Sequence, residues 1–254
     1  MNTSHSSAGA AGLNPGSNAA GTRGPDLERA PSGVAGLDEM IEGGLPRGRI
    51  TLVTGPAGSG KTTLGFQFLH HGIVAHNEPG VYVTLQDEVA DLVQDMGRFG
   101  WNLQEHITDH RLALVRSPIP FEVDAPLTTD ALLDKIHGAV TQINARRLVF
   151  DSLAALGLPD DDHVRLRRDV LRLCSLLREL GCTTLMTTET LDNGGLTTFG
   201  VEQFVAQGVI VMHVAHTYRG IEIRKMRGTR HDTNVHRMRM TERGLVVAPG
   251  EHPF

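Results

Sequence analysis

Lysine is almost missing from this chain. Of 24 basic residues in 254, only Lys61, Lys135 and Lys225 are lysine and the rest are arginine. A compact ammonium and a planar guanidinium are not interchangeable at close quarters, so each remaining lysine is a pointer to a place that needs a point charge. Cysteine is as scarce. Cys174 and Cys182 form no C-x-x-C pair, which excludes a disulfide framework and suits a reducing cytoplasm. No apolar run approaches the ~18 residues of a membrane span, and no signal-peptide core stands near residue 1. The net charge of −5 argues against a generic polyanion-binding protein. With 40% hydrophobic and 21% charged residues, the composition is neither collagen-like nor globally disordered. What remains is a cytoplasmic globular protein with no membrane partner, long enough for one to two domains at ~150 residues each.

Residues 1 to about 30 are built mostly from Gly, Ala, Ser, Asn, Thr and Pro, with Met1, Leu13 and Leu27 the only large apolar side chains. So little apolar area cannot offset ordering entropy, and the pattern predicts a disordered tail. From residue 31 strands and helices alternate. Strands are expected at 49–54, 80–85, 112–115, 147–151 and 183–188. Between them run helices from 61 to 76, through Val89–Met96, through Leu132–Ile143, and through Leu166, Val170, Leu173, Leu177 and Leu180. This alternation predicts an α/β fold with a mainly parallel sheet and helices on both faces. After residue 208 four runs, 209–212, 221–224, 236–240 and 245–247, follow one another without helices and predict a C-terminal antiparallel extension. The expected domain spans 31–248, with 249–254 a short C-terminal tail.

The most specific signal is Gly55-Pro-Ala-Gly-Ser-Gly-Lys-Thr-Thr63, the pattern G-x-x-x-x-G-K-[ST] between a strand and a helix. Gly55, Gly58, Ser59 and Gly60 let the backbone turn its N–H groups around phosphate oxygens at a helix N-terminus, and Thr63 continues the loop into that helix. Lys61 reaches the β- and γ-phosphates, where its charge assists the chemistry, and Thr62 offers a hydroxyl to Mg²⁺. Asp151 ends the apolar strand Leu148-Val-Phe-Asp151 and is the second candidate Mg²⁺ ligand. The pattern points to a P-loop site for ATP and Mg²⁺.

Residues 31–248 resemble a KaiC domain, the RecA-superfamily ATPase module of the clock protein KaiC and its single-domain relatives. The resemblance runs through Ser32–Asp38, Gly43–Gly48, the P-loop, Phe99-Gly-Trp101, Thr183–Glu189, Gly200–Phe204 and Lys225–Thr229. It implies a RecA-like P-loop ATPase that forms a homohexameric ring, holds nucleotide between neighbouring subunits and acts as a regulatory switch for partner proteins. It also implies that Lys225, Arg227, Thr229 and His231, with Met226 between them, reach from one subunit to the phosphates of the next. An alternating strand puts Lys225 and Arg227 on one face, which suits a shared anion. The other readings of this segment are a solvated basic hairpin or a nucleic-acid patch with Arg219, Arg224, Arg230, Arg237 and Arg239.

The chain departs from the family at the catalytic base. Where the clock protein has two glutamates, this chain has Gln86 and Asp87, with Glu88 next. Asp87 is one methylene shorter than glutamate, which implies slow hydrolysis. If the strand continues, Gln86 and Glu88 point away from Asp87. Asp87 and Glu88 are both candidate bases. At the clock protein's autophosphorylation sites this chain reads Glu202-Gln203-Phe204, and only Thr197 and Thr198 lie nearby, so autokinase activity is secondary. Arg98 is a candidate to lie over the adenine, with packing or surface placement as the alternative. His70-His71 and His106/His110 have metal-like spacing but no convincing third ligand, and read as surface residues. Asp160-Asp-Asp-His163 favours the positive end of the following helix. The rival functions are a recombinase-like DNA-dependent ATPase and a nucleotide-sensing scaffold with little turnover.

Overall fold

In the computed structural model, residues 1, 27–117, 129–157, 163–190, 205–215 and 218–251 are described. A short antiparallel pair, β1 (Arg29–Ala30) and β2 (Leu45–Pro46), brackets one helical turn, α1 (Leu37–Met40). Then come β3 (Ile50–Thr54), α2 (Lys61–His76), β4 (Gly80–Thr84), α3 (Val89–Gly97), α4 (Leu103–Thr108), β5 (Leu112–Arg116) and α5 (Thr129–Ile143). The chain continues through β6 (Arg147–Asp151), α6 (His163–Glu179) and β7 (Thr183–Thr188). It closes with β8 (Gly208–Ala215), β9 (Tyr218–Met226), β10 (Val235–Thr241) and β11 (Gly244–Ala248).

The large sheet has nine strands in the order β11-β10-β9-β8-β3-β7-β6-β4-β5. From β8 to β5 every neighbouring pair is parallel, and β9, β10 and β11 are added antiparallel. Helices on both faces explain why β3, β4, β6 and β7 are buried at every residue and read as continuous apolar runs. On one face Leu64, Phe66 and Phe68 of α2 pack with Val53, Val149 and Ile210. On the other, Ile136 and Val140 of α5 and Val170, Leu173 and Leu177 of α6 pack with Leu52, Leu148 and Phe150. Both the parallel sheet and its antiparallel extension match the sequence expectation. Among the described residues no helix is long and apolar enough to cross a membrane.

Several boundaries move. Residues 27–30 of the expected tail belong to the fold, because Ala30 is fully buried and Arg29 pairs with Pro46. At the other end Glu251 is tied to β10: its carbonyl accepts from the Arg237 amide, and its carboxylate lies 3.0 Å from Arg239. The expected strand at 80–85 ends at Thr84, and the chain bends over the next three residues. α1, α4 and the β1–β2 pair are not in the expected pattern because each is too short to show a period. Residues 2–26, the segment 200–204, Thr197, Thr198 and Asp160–Asp162 lie outside the described residues.

One buried charge ties these layers together. Arg147, at the start of β6, is fully buried. Its Nε donates to Glu78 at 2.6 Å, and one terminal nitrogen donates to the carbonyls of Pro31 at 2.7 Å and Phe68 at 2.9 Å. The guanidinium also lies 4.5 Å from the centre of the Phe68 ring. Position 72 must be glycine, since a Cβ there would come within 2.3 Å of the Arg147 side chain. Burial opposes ionisation of Glu78, but hydrogen bonds from Arg147 and Arg47 outweigh it and hold the carboxyl below the usual range. Glu78 therefore stabilises the fold above the unfolded glutamate pKa, and that contribution is lost as pH falls through the depressed value.

Arg147→Ala should destabilise the protein by about 3–5 kcal/mol, because it breaks a buried ion pair, leaving Glu78 with Arg47 alone and the Pro31 and Phe68 carbonyls without their donor. Adding Glu78→Leu should recover part of the loss, but not the part due to the Pro31 and Phe68 carbonyls. Urea unfolding of the two variants measures both effects; equal stability of Arg147→Ala and the parent would contradict the anchoring role.

Candidate nucleotide site

The P-loop leaves β3 and enters α2. Gly58 and Gly60 have φ of +73° and +104°, left-handed conformations that side chains disfavour. Gly60 is the helix N-cap and offers no side-chain hydrogen bond, so the first amides of α2 are left for an anion. Ser59 Oγ is fully buried and has no hydrogen-bond partner among the described residues. Lys61 donates to the carbonyls of Gly55 at 2.7 Å and Pro56 at 3.0 Å. Burial lowers the pKa of Lys61, while Glu189 and Asp151 oppose that shift. A half-buried ammonium, an orphaned hydroxyl and left-handed glycines form a donor set that fits a phosphate chain.

Asp151 stands at the end of β6, and Thr62 Oγ1 donates to its Oδ2 at 2.8 Å. The Tyr82 hydroxyl also donates to Oδ2, and Thr187 Oγ1 donates to Oδ1. The carboxylate is thus oriented by hydroxyls from α2, β4 and β7. Burial, then the Asp151 charge, pushes the Tyr82 phenol up and keeps it a neutral donor. Thr62 and Asp151 are the two residues expected to hold Mg²⁺, and their hard oxygen donors suit that ion.

The two candidate bases separate. Because the chain bends after Thr84, strand alternation does not apply at 86–88. Asp87 donates its backbone N–H to Thr84 Oγ1 at 3.0 Å, and its carboxyl is raised by burial and by the charges of Asp151, Asp91 and Asp95. Glu88 turns instead to Arg116, 2.5 Å away. Arg98 is not brought to the loop. It is exposed beyond α3, about 15 Å of helix from Glu88, with its guanidinium 5.6 Å from the Phe99 ring centre.

Lys225, Arg227, Thr229 and His231 come together at the opposite end of the sheet from the P-loop. Lys225 pairs with Val209, which pairs with Leu52, and Arg49 donates to the Arg227 carbonyl at 3.0 Å. From Arg49 to Gly55 is about 20 Å of strand. The expectation of one alternating strand is corrected here. A register shift at Val209/Ile210 interrupts β9, which ends at Met226, so Arg227 lies in the following turn. Met226 itself is buried in the core. Lys225 Nζ rests on the Ala206 carbonyl at 2.8 Å, and His231 Nδ1 lies 3.0 Å from the Thr229 carbonyl. Burial, and then Arg227, lowers the Lys225 pKa.

Tyr82, Thr187, Glu189 and Arg219 escaped the sequence reading as members of this site. Arg219 donates to the Gly58 carbonyl at 3.3 Å and 3.4 Å, at the P-loop end of β9. Glu189 follows Thr188, the partner of Thr54, and so lies level with Gly55. The histidines also depart from expectation. His106 is buried, and its Nε2 lies 3.2 Å from Nδ1 of His70, whose pKa burial lowers to about 4. Among the described residues no group of three or more His, Cys, Asp or Glu is arranged to hold a metal.

Comparison with known proteins follows the same lines. The family profile "ATPase: KaiC" matches residues 30–252. The circadian clock oscillator protein KaiC of Prochlorococcus marinus (strain MIT 9313) is 36% identical over 241 residues, covering 92% of this chain and 48% of that protein. The protein of the same name from Thermostichus vulcanus is 38% identical over 214 residues, covering 81% of this chain and 41% of that protein. The chain therefore spans about half the length of the curated relatives it matches. The crystal structure of a KaiC-like protein from Pyrococcus horikoshii OT3 superposes with a TM-score of 0.80 at 37% identity, covering 88% of this chain and 100% of that one.

Asp87→Asn should lower hydrolysis by at least about tenfold with ATP affinity unchanged, as expected for loss of a water-activating carboxylate. A base must be deprotonated, so the raised pKa moves the acid limb of the rate profile above that of an ordinary aspartate. Asp91→Asn should move that limb back down. Normal turnover of Asp87→Asn together with loss in Glu88→Gln would reverse the assignment.

Proposed function

Because the chain belongs to the KaiC family of ATPases, we propose that it is a slowly turning, Mg²⁺-dependent ATPase that assembles as a ring with each nucleotide held between two subunits. In this reading the loop Gly55–Thr63 binds the triphosphate of ATP, with Lys61 on the β- and γ-phosphates. Thr62 and Asp151 would hold Mg²⁺, which would supply charge neutralisation to the phosphates. Asp87 takes a proton from the water that attacks the γ-phosphorus, and the P–O bond to ADP breaks. The shorter side chain at 87 favours slow turnover.

The separation of Lys225 and Arg227 from their own P-loop carries the reading of a shared site. An arginine side chain cannot bridge about 20 Å, so if this cluster meets a nucleotide, that nucleotide is bound by another subunit. There it would supply charge to the transferring phosphoryl group, as an arginine finger does in trans. The nucleic-acid alternative has less support. Arg224 pairs with Glu222, Arg230 with Glu42, Arg239 with Glu251, and Arg219 with the Gly58 carbonyl, so these arginines do not form an uncommitted basic patch. A ring whose interfaces respond to bound nucleotide suits a switch for protein partners.

Lys61→Ala should abolish ATP binding, and Lys225→Ala/Arg227→Ala should bind ATP but not hydrolyse it. Mixed rings of the two inactive proteins should regain ATPase activity, because an intact P-loop then faces an intact Lys225/Arg227 pair. If co-assembly is verified and no activity returns, the shared site is wrong.

A further inference from the structure

The segment Arg227–His231 is gripped from behind by residues far from it in sequence. Arg29, on β1, donates one terminal nitrogen to Thr229 Oγ1 at 2.6 Å and the other to Glu42 Oε2 at 2.9 Å. Glu42 Oε1 accepts from Arg230 Nε at 3.1 Å. Glu42 follows α1 with a φ of +57°, and the Arg230 hydrogen bond chiefly holds its carboxyl below the usual range. Gly228, with φ of +74°, sits against Leu27, where a Cβ would come within 2.7 Å of the leucine side chain. One carboxylate thus joins two guanidiniums on either side of a turn, and one of those guanidiniums also fixes the hydroxyl of Thr229.

We propose that Arg29 and Glu42 are positioning residues for the neighbouring subunit's nucleotide, forming a clasp that sets the orientation of Arg227–His231. This rests on the shared-site reading above. The clasp has two physical consequences. A threonine hydroxyl that accepts from a guanidinium keeps its one proton for an outside acceptor, and its acceptor role leaves that proton pointing away from Arg29. The Glu42 carboxylate also holds Arg29 and Arg230 to the back of the turn, away from the side on which Arg227 would meet a phosphate. Without Glu42, two guanidiniums would be released and the turn would lose its brace. Positioning of this kind acts on turnover rather than on affinity at the P-loop, because the P-loop lies at the other end of the same chain.

Glu42→Ala should therefore lower turnover by about five- to tenfold, the scale of a loosened rather than deleted charge, with ATP binding and the thermal unfolding midpoint close to the parent. Glu42→Asp should restore part of the rate. Arg29→Lys, which keeps the charge but cannot serve both Thr229 and Glu42, should reproduce a milder loss. The decisive readout is again mixing. Glu42→Ala chains should turn over faster per intact P-loop when mixed with Lys61→Ala chains, whose clasp is intact. The Lys61→Ala mixture with Lys225→Ala/Arg227→Ala runs in parallel. Recovery in both mixtures supports the clasp. Recovery only in the parallel mixture, or parental turnover of Glu42→Ala alone, overturns the clasp and leaves the shared site standing. No recovery in the parallel mixture overturns both.

Discussion

The Arg147–Glu78 pair is the constraint on which the rest of the molecule depends. A guanidinium removed from water needs partners for its donors, and here Nε and one terminal nitrogen find them in three different parts of the chain, the residue after β1, the middle of α2 and the turn before β4, while the other terminal nitrogen has no hydrogen-bond partner among the described residues. Each of those contacts fixes the position of an element that carries chemistry. α2 begins at the P-loop, β4 leads to Asp87, and β6, which starts at Arg147, ends at Asp151. The buried ion pair and the Asp151 carboxylate thus occupy the two ends of one five-residue strand.

A parallel sheet collects the C-terminal ends of its strands on one edge, and the antiparallel extension reverses that rule. β3, β4, β6 and β7 bring Gly55, Asp87, Asp151 and Glu189 to the same edge because they run the same way. β9 runs back against β8, so its first residues return to the P-loop through Arg219 while its last ones carry Lys225 to the far edge. The proposed division of the nucleotide site between subunits follows from that reversal. A chain with phosphate ligands at one end of its sheet and a cationic turn at the other can complete its site by stacking copies head to tail around a ring.

Local chemistry was legible and cross-strand chemistry was not. The P-loop could be read because its demands fall on consecutive residues: glycines where φ is positive, a lysine, a hydroxyl at the helix start. Asp151 could be read because a buried strand that stops at an acid is itself a local signal. The Tyr82 and Thr187 hydroxyls that orient Asp151 could not, since they lie on strands that flank β6 only in the folded order β7-β6-β4. The pairing of His70 with His106 was hidden for the same reason: it joins α2 to α4, a helix too short to show periodicity. Two alternation arguments failed at irregular backbone. The bend after Thr84 set the directions of Asp87 and Glu88, and the end of β9 at Met226 removed Arg227 from the strand that a period of two would have given it.

The sequence by itself determined the fold class, the phosphate-binding loop and the family, because hydrophobic period and a contiguous motif carry that information without reference to distant residues. It also put Lys225 and Arg227 among the candidates, through the resemblance. Only the tertiary structure decided that Arg227 stands a strand's length from its own P-loop, that Lys225 reaches toward the same end through the Ala206 carbonyl, that Glu88 is committed to Arg116 while Asp87 stays near Asp151, and that Arg29 and Glu42 brace the cationic turn. Those facts depend on strand order, register and chain direction, which are set by how the packed core satisfies buried groups such as Arg147 rather than by any run of neighbouring residues.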